Sequence, residues 1–472
     1  MSRLVSILRR WLEPLGAGLP AVYLVGGAVR DHLLGRASKD VDLMCAEPQA
    51  LAHALGSVHD AALVPFLNKP DTPCLRVVNR ADTEDFLDLV PIHGSGVADD
   101  LGRRDFTINA MAIVVGAGGA LGELIDPLGG RRDLHDRRIR AAGPDAMTSD
   151  PLRVIRAARF SAELGFEIDA ATRQLMANAA DRVAAVAAER IVRELFLTLK
   201  QPDSAPLVRV LDGTGALQAI FPEIAPMRGC SQNEHHHLNV WDHSLEALQK
   251  LESLLASLTD QFEPAAGRLH ANLERENRLP VLKLAMLLHD AGKPESRSLA
   301  PETGRATFYG HDIAGARIAE QIAARLKFSV RDQELFERLI AEHMHMIGLS
   351  GPDVRPGTIL RWFRSLGEDM VLLILLGMAD VMATAGPASR EVERERQLRW
   401  CRETIRLYYT EIKGRLERKP LIGGRDLMAI GIPPGPGMGA ILEAVRTAQD
   451  EGTVQSRDEA LALAADLTRK HG

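Results

Sequence analysis

A glycine pair between two apolar runs constrains this chain more than any other feature. The letters LVGGAVRD occupy residues 24–31, and DVD follows at residues 40–42 inside a second apolar run. Adjacent glycines let the backbone turn sharply and bring its N–H groups against a phosphate, with Arg30 as a charged partner. The pattern predicts a strand that leads into a nucleotide-binding loop at Gly26 and Gly27.

The two aspartates of the second run point to a metal site. Side chains on a strand alternate with a period of two, so Asp40 and Asp42 are expected on one face, where they can hold the same Mg²⁺ pair. Two metals about 3.5–4 Å apart would activate an attacking hydroxyl and stabilise a leaving pyrophosphate. Asp-x-Asp also occurs by chance in long chains, and the upstream glycines favour the catalytic interpretation.

Composition excludes several classes of protein. A chain of 472 residues is expected to form about three domains. The net charge of −6 provides no global basic field, so nucleic-acid binding would need a local patch. The four cysteines are far apart without Cys-x-x-Cys spacing, which argues against a thiolate zinc site or disulfides and suits the cytosol.

Neither a leader nor a membrane anchor is expected. The N-terminal residues lack the apolar core of a signal peptide, and the apolar run Met370–Met378 is too short to cross a bilayer. These features predict a soluble cytoplasmic protein with no membrane partner.

Hydrophobic patterning predicts an α+β fold. Short β-branched runs predict strands at Val22–Val25, Val41–Met44, Leu75–Val78, Phe86–Val90 and Met111–Val115. From Asp150 onward, helical spacing replaces them, with one helix around Leu152–Phe160 and another around Ile191–Leu199. The chain is therefore expected to form a small head on a mixed sheet, followed by helical domains.

Arginines dominate the segment after the predicted head strands. Between Leu101 and Phe160 there are ten arginines and no lysine, against seven carboxylates. Guanidinium groups bind phosphate in a bidentate fashion, so the bias suits a triphosphate and an RNA backbone. A solvated helix face with i,i+4 ion pairs is the alternative interpretation.

The run SDPLRVIRAARF at residues 149–160 suggests a base-reading helix. Asp150 suits an N-cap and Pro151 suits the first position of a helix, so the start of a helix alone can explain the presence of both residues. Asp150 and Arg153 also offer an acceptor beside a donor, matching the Watson–Crick edges of cytosine and adenine. Uracil and guanine would leave buried groups unpaired, at a cost of about 1–3 kcal/mol per group.

Taken together, these motifs resemble the bacterial class II tRNA nucleotidyltransferase and poly(A) polymerase family. The resemblance rests on the loop at 26–31, on DVD, on RRDFTINA at 103–110, on DPLR at 150–153 and on the tail segments 419–427 and 434–439. It implies a polymerase-β-like head in which Asp40 and Asp42 hold Mg²⁺, and a hinge at 126–134. The nucleotide-binding residues it implies are Gly26, Gly27, Arg30, Arg104, Asp105, Asp150, Arg153, Arg156 and Arg159.

Three positions stand apart from the family pattern or remain open. Ser149 stands where many relatives carry glutamate, and His93 stands where arginine is expected. Asp88 would supply a third catalytic carboxylate to the metals or, equally, would be a solvent residue on an edge strand.

A third group of residues resembles the HD metal-dependent phosphohydrolase domain. Its order and spacing imply that one or two divalent ions of unknown identity are held by His243, His289, Asp290, His311, His343 and Asp380. His289 and Asp290 follow an apolar helix at Val281–Leu288, whereas the histidines at 235–237 are expected on the surface or in a loop.

The resemblance implies four domains: a nucleotidyltransferase head at 1–140, a helical neck and body at 141–228, an HD domain at 229–385 and a tRNA-binding tail at 386–472. The implied reaction is template-independent addition of CMP and AMP, from CTP and ATP, to a tRNA 3′ end. Alternatives are a poly(A) polymerase or A-only enzyme, a (p)ppGpp synthetase/hydrolase, and a non-catalytic RNA-binding protein. The oligomeric state stays open.

Overall fold

The computed structural model describes residues 3–18, 20–38, 40–66, 74–232, 238–349, 356–384 and 391–471. The chain forms two compact units, Met1–Glu194 with Leu207–Ile220, and Leu195–Pro206 with Phe221–Gly472. Among the described residues, no helix is both long and apolar enough to cross a membrane.

A seven-stranded sheet forms the centre of the first unit. Its strands are β1 (Val22–Val25), β2 (Asp42–Cys45), β3 (Ala61–Phe66), β4 (Cys74–Asn79), β5 (Phe86–Pro91), β6 (Ala112–Val115) and β7 (Leu121–Ile125). Their order is β3-β4-β5-β2-β1-β6-β7. Only the β2–β5 pair is parallel, and the other neighbours are antiparallel, so the sheet is mixed, as predicted.

Helices cover this sheet and continue beyond it. They are α1 (Arg3–Leu12), α2 (Gly27–Leu33), α3 (Pro48–Val58), α4 (Val97–Gly102), α5 (Gly130–His135), α6 (Ala146–Ser149), α7 (Arg153–Leu164), α8 (Ala170–Ala179), α9 (Ala188–Leu199), α10 (Ala205–Gly213) and α11 (Ala216–Ile220). Strands β8 (Arg138–Ile139) and β9 (Glu167–Ile168) form a small parallel pair. The predicted α+β class is confirmed.

The five predicted strands correspond to β1, β2, β4, β5 and β6, with ends that differ by one residue or not at all. Strands β3 and β7 escaped prediction. They occupy the two edges of the sheet, and their sequences lack a long β-branched run because an edge strand needs less apolar surface.

Among the residues that the structure describes, the regular elements of the second unit are helices and one hairpin. Its helices are α12 (Ile224–Gly229), α13 (Val240–Ala256), α14 (Leu258–Phe262), α15 (Ala266–Glu274), α16 (Arg278–Leu288), α17 (Lys293–Ser296), α18 (His311–Leu326), α19 (Val330–Leu349), α20 (Pro356–Leu366), α21 (Asp369–Ala383), α22 (Glu391–Leu407), α23 (Lys413–Leu416), α24 (Gly424–Ala429), α25 (Pro436–Glu451) and α26 (Arg457–His471). Strands β10 (Ser298–Leu299) and β11 (Ala306–Thr307) pair antiparallel.

The core of this unit follows from its most apolar helices. In α16 the residues from Pro280 to Leu288 are all buried, and α21 is buried along most of its length. A helix that is apolar on every face must be surrounded by other helices. The last three helices have a hydrophobic cluster of their own around Leu427, Val445 and Ala460.

Candidate functional site

The glycine turn joins β1 to α2, as the sequence predicts. Gly26 adopts φ 70° and ψ −138°, a left-handed conformation that favours glycine. A Cβ atom at Gly26 would lie 3.4 Å from Nη1 of Arg104 and 3.5 Å from Oδ2 of Asp42. Both distances are ordinary van der Waals contacts, so the positive φ is what favours glycine at this position. The first turn of α2 lines the same cavity as Asp42.

Asp42 and Asp88 are neighbours across the parallel pair of strands. Asp42 begins β2 and is in register with Asp88 on β5. Burial and then the charge of Asp88 raise the pKa of Asp42 to about 7. A hard divalent cation would neutralise the excess negative charge of these neighbouring carboxylates. The oxygen donors therefore fit Mg²⁺.

Two sequence expectations about these aspartates need correction. Asp40 precedes β2 and is exposed, so the two aspartates do not share one strand, although the charge of Asp40 still acts on Asp42. Asp88 is not a solvent residue on an edge strand, because β5 has a neighbour on each side and Asp88 is buried. Its carboxylate accepts from Nε and Nη2 of Arg76 at 2.7 and 2.8 Å.

Three arginines surround the ring of Phe160 on α7. Arg30, Arg156 and Arg159 place their guanidinium carbons 5.2, 5.2 and 4.2 Å from the ring centroid. A ring face flanked by cations is stabilised by cation–π attraction and fixes the position of each guanidinium. The buried Glu194 completes the group.

Glu194 joins two of these arginines. Its Oε1 accepts from Arg156 over 3.2 Å, and its Oε2 accepts from Nε of Arg159 over 2.6 Å. Arg156 also donates to Oδ2 of Asp105 from Nη2 over 2.5 Å. Burial would raise the pKa of Asp105, but the charge of Arg156 and the hydrogen bonds to it lower that pKa below its ordinary value.

The motifs meet in one cavity of about 820 Å³. The residues predicted from sequence that line it are Gly26, Gly27, Arg30, Asp40, Asp42, Arg104, Asp105, Asp150, Arg153, Arg156 and Arg159. Asp88 is not among the lining residues. A polar cavity lined by several carboxylates and several guanidinium groups offers ligands for a metal ion and partners for the phosphates of a nucleoside triphosphate.

The predicted N-cap role of Asp150 is wrong. Helix α7 begins at Arg153, and Asp150 lies before it in an extended conformation. The carboxylate of Asp150 accepts from Nη2 of Arg190 over 2.8 Å. The tertiary contact with α9 therefore replaces the local hydrogen bond that a cap would make.

Arg153 also has partners that the sequence did not predict. Its Nη1 donates to the carbonyls of Arg104 and Ala146, both over 3.1 Å, and its Nη2 donates to the carbonyl of Arg103 over 2.8 Å. Arg153 thus joins α7 to two preceding segments in this structure, and it still lines the cavity.

Sequence reasoning missed the contribution of α9. Arg190, Arg193 and Glu194 all line the cavity. Their spacing of three and four residues places them on one helical face, opposite the apolar residues at 191, 195 and 199. That polar stripe was the available signal.

The six residues of the second predicted site come together in the second unit. They form two groups, His243 with His289 and Asp380, and Asp290 with His311 and His343, and within each group the potential ligand atoms lie within 4.8 Å of one another. His289 follows the end of α16 as its C-cap, as the sequence predicts.

Main-chain carbonyls orient three of the histidines. His289, His311 and His343 each direct Nδ1 at the carbonyl three residues earlier, over 2.8, 2.7 and 2.6 Å. A proton on Nδ1 leaves Nε2 as the ligand atom, and such a second hydrogen bond is typical of metal-binding histidine.

The polar atoms of this cluster fit a divalent ion. Nε2 of His289 is buried without a hydrogen-bond partner, although Asp290 and Asp380 are near it. Burial disfavours the protonated ring, but these two carboxylates raise the pKa of His289 to about 10. A positive charge beside Nε2 of His289 is therefore stabilised by Asp290 and Asp380, and a metal ion would supply that charge in place of the proton.

Comparison with known proteins identifies the family of the chain. The model for the poly(A) polymerase head domain matches residues 22–140, the model for the probable RNA and SrmB binding site of polymerase A matches 165–228, and the HD domain model matches 240–381. An A-adding tRNA nucleotidyltransferase of Deinococcus radiodurans is 35% identical over 95% of this chain and 96% of its own length. The chain belongs to the bacterial tRNA nucleotidyltransferase and poly(A) polymerase family.

Other members of the family are similarly related. A CC-adding tRNA nucleotidyltransferase of Thermus thermophilus is 33% identical over 93% of this chain and 92% of its own length. A multifunctional CCA protein of Halorhodospira halophila is 33% identical over 73% of this chain and 78% of its own. The protein is accordingly a nucleotidyltransferase with an HD domain.

Solved structures show the same fold. The Thermotoga maritima CCA-adding enzyme complexed with tRNA has a TM-score of 0.66 at 19% identity and covers 98% of this chain and 94% of its own. A CCA-adding enzyme with CTP has a TM-score of 0.67 at 19% identity, covering 100% and 96%.

Proposed function

We propose that this protein adds CMP and AMP, from CTP and ATP, to the 3′ end of tRNA without a nucleic-acid template. The observation that carries the proposal is the cavity that brings the glycine turn, the acidic cluster at Asp42 and the α7 arginines together. Relatives named for CCA, CC and A addition to tRNA support the choice of substrates.

The side chains divide the work within this cavity. The N–H groups at the start of α2 and the guanidinium groups of Arg156 and Arg159 would bind the triphosphate, because backbone donors and forked cations match phosphate oxygens. Asp40 and Asp42 would hold Mg²⁺, which supplies activation of the 3′-hydroxyl and stabilisation of pyrophosphate when bound. Asp150 would accept a hydrogen bond from the amino group of cytosine or adenine.

Asp88 has a supporting role in this proposal. Its two oxygens are engaged by Arg76, and it raises the pKa of Asp42 through its charge. It would therefore strengthen the attraction of Asp42 for a cation and would become a ligand only by releasing Arg76.

The test is an incubation of the purified protein with tRNAs that lack one, two or three terminal nucleotides, with each nucleoside triphosphate alone and with CTP and ATP together. We expect two CMP additions followed by one AMP addition, and no extension with UTP or GTP alone. Long A tails would contradict the proposal and indicate a poly(A) polymerase.

The second candidate function is the addition of only AMP, or of only CMP, to the tRNA 3′ end. Relatives at 35% and 33% identity carry the names A-adding and CC-adding. All of these activities transfer a nucleotide to a tRNA end, so the choice between them is made by the product that is formed. Addition of AMP only to tRNA ending in CC, or of CMP only, would establish this candidate.

We further propose four domains, with the head at 1–140, the neck and body at 141–228, the HD domain at 229–385 and a tRNA-binding tail at 386–472. The ranges 22–140, 165–228 and 240–381 of the family models support the first three. The separate hydrophobic cluster of α24–α26 supports the fourth.

We propose a cytoplasmic location, which suits the reaction and the four cysteines without disulfides.

We also propose a metal-dependent phosphohydrolase activity for the HD domain. The two histidine–aspartate groups support it, because neutral imidazoles and carboxylates bind Mn²⁺, Ni²⁺, Co²⁺ or Zn²⁺. Hydrolysis of a 2′,3′-cyclic nucleotide with each metal in turn tests this activity separately from nucleotide addition.

A further inference from the structure

A short hairpin leads directly into the HD cluster. The strands β10 and β11 place Ser298 opposite Thr307, and the N–H of Ala300 donates to the carbonyl of Arg305 over 2.8 Å to close the turn. One residue beyond β11, the carbonyl of Phe308 accepts from Nδ1 of the predicted metal ligand His311. The hairpin is therefore attached to the cluster by a hydrogen bond as well as by the chain.

The hairpin forms one wall of a cleft of about 570 Å³. The described residues that line it are Gln232, Arg297, Leu299, Thr303, Gly304, Arg305 and Ala306. Two of these residues are charged, and both are arginines. The guanidinium of Arg297 in this lining attracts an anion, and guanidinium groups favour phosphate.

A lysine connects the cleft to the metal cluster. Nζ of Lys293 lies 2.7 Å from Oε1 of Gln232, which lines the cleft, and 2.7 Å from Oδ2 of Asp290, a predicted ligand. Oε1 of Gln232 and Oδ2 of Asp290 are therefore separated by at most twice 2.7 Å. Arg297, Lys293 and Asp290 also act electrostatically on the same thiol, that of Cys230.

Arg297 is available for a ligand. It is exposed, and no carboxylate of the described residues lies within 4 Å of its guanidinium. Arg297 lines the cleft that Lys293 connects to the proposed phosphohydrolase cluster, so its charge is placed to bind a phosphate of the substrate.

We propose that this hairpin cleft binds a second phosphate of the molecule whose phosphate ester occupies the HD cluster. The substrate class would then be a nucleotide that carries phosphates on both sides of one ribose, as the end of an RNA chain does, in preference to a simple phosphate ester. The inference rests on the proposed phosphohydrolase function. In the reaction, water adds to phosphorus, one phosphorus–oxygen ester bond breaks, and the leaving oxygen receives the proton, with no oxidant or reductant.

The first test compares adenosine 2′,3′-cyclic phosphate with its 5′-phosphorylated form, in the presence of Mn²⁺, Ni²⁺ or Co²⁺. We expect the wild-type protein to favour the 5′-phosphorylated form roughly tenfold in kcat/KM, through KM, because a charge-assisted hydrogen bond has about that effect. Arg297→Ala should lose the preference while hydrolysing the other substrate at the wild-type rate. Arg317→Ala, which removes an exposed arginine of α18 paired with Glu295, is the matched control.

A dinucleotide that ends in a 2′,3′-cyclic phosphate distinguishes the two sources of the second phosphate. Faster hydrolysis of the dinucleotide assigns it to an RNA chain, and faster hydrolysis of the 5′-phosphorylated mononucleotide assigns it to a free nucleotide. Equal kcat/KM for all three substrates in the wild-type protein would overturn the proposal.

A binding measurement keeps the cleft separate from the chemistry. In EDTA, the 5′-phosphorylated cyclic nucleotide should slow amide hydrogen exchange in residues 298–307 of the full-length wild-type protein but not of Arg297→Ala. If no metal supports hydrolysis while this protection is seen, the phosphohydrolase function fails and the phosphate site stands. Absence of protection in the wild-type protein would rule out the site whatever the hydrolysis assay shows.

Discussion

Arg190 donates a hydrogen bond from Nη2 to Oδ2 of Asp150 over 2.8 Å. Among the described residues, Asp150 has no other side-chain partner, so its Oδ1 is left to accept from a ligand. A carboxylate held through one oxygen keeps the other in a defined direction, which base recognition requires. The α9 helix therefore positions the acceptor that the sequence assigns to base reading.

Replacing Arg190 should loosen base choice. In Arg190→Ala, Asp150 loses its orienting bond, and we expect incorporation of UMP and GMP relative to CMP and AMP to rise about tenfold, from a hydrogen bond to a charged group. Arg190→Lys should restore part of the discrimination. The measurement is single-turnover extension of tRNA with each nucleotide, and an unchanged ratio with a lower overall rate would show that Arg190 acts on binding alone.

Removal of either aspartate that we propose as a Mg²⁺ ligand should abolish addition without unfolding the head. We expect Asp40→Ala and Asp42→Ala to lower kcat by at least about a thousandfold, because each would remove a ligand from the Mg²⁺ site. Asp60→Ala is the control, since Asp60 is an exposed acid of the same unit that pairs with Arg80. Wild-type circular dichroism together with retained CMP and AMP addition in either variant would disprove the assignment.

Two glutamates that contact Arg159 should differ sharply when they are replaced. Glu194 is buried and binds both Arg156 and Arg159, whereas Glu163 is exposed and binds Arg159 over 2.9 Å. Glu194→Gln should raise KM for the nucleotide roughly tenfold, because both arginines lose a fixed partner. Glu163→Gln should have little effect, as exposed pairs contribute about 0–1 kcal/mol. Similar KM values in the two variants would remove Glu194 from the positioning of the arginines.

The Asp105–Arg156 ion pair should make the stability of the first unit depend on acid. Arg156 lowers the pKa of Asp105 below 3.8, so the folded state is stabilised above that pH and loses the contribution as pH falls through the lowered pKa. Asp105→Asn should lower the free energy of unfolding by about 2 kcal/mol at pH 7. The difference in urea unfolding between the two proteins should shrink as pH falls below the ordinary pKa of an aspartate and should vanish below the lowered pKa of Asp105. A difference that does not shrink over this range would contradict the linkage.

The proposed nucleotidyltransferase site and the proposed metal site of the HD domain should be separable. His289→Ala and Asp290→Ala should each remove most metal binding by the HD domain, measured by titration calorimetry with Mn²⁺, and leave nucleotide addition intact. Their effects should be strongly non-additive, because both residues belong to one cluster. His270→Ala, an exposed histidine of α15, is the control. Loss of CMP addition in the HD variants would show that the sites depend on each other.

Local chemistry allowed the sequence to determine much of this protein. Short β-branched runs predicted five strands, and two glycines predicted the turn into α2, because both signals act over a few residues. The order of the histidines and aspartates likewise predicted a cluster that the fold assembles from α13, α16, α18, α19 and α21.

Only the tertiary structure decided which side chains meet. Asp150 is a good N-cap by sequence, but a guanidinium from α9, forty residues away, satisfies its charge and ends that local role. Asp88 could have been exposed on an edge strand, and it is buried because β4 pairs with the outer side of β5. Such outcomes depend on which elements become neighbours in the fold. A turn or a helical period is visible in a short stretch of sequence, but the packing and pairing of distant segments leave no signal in either segment alone.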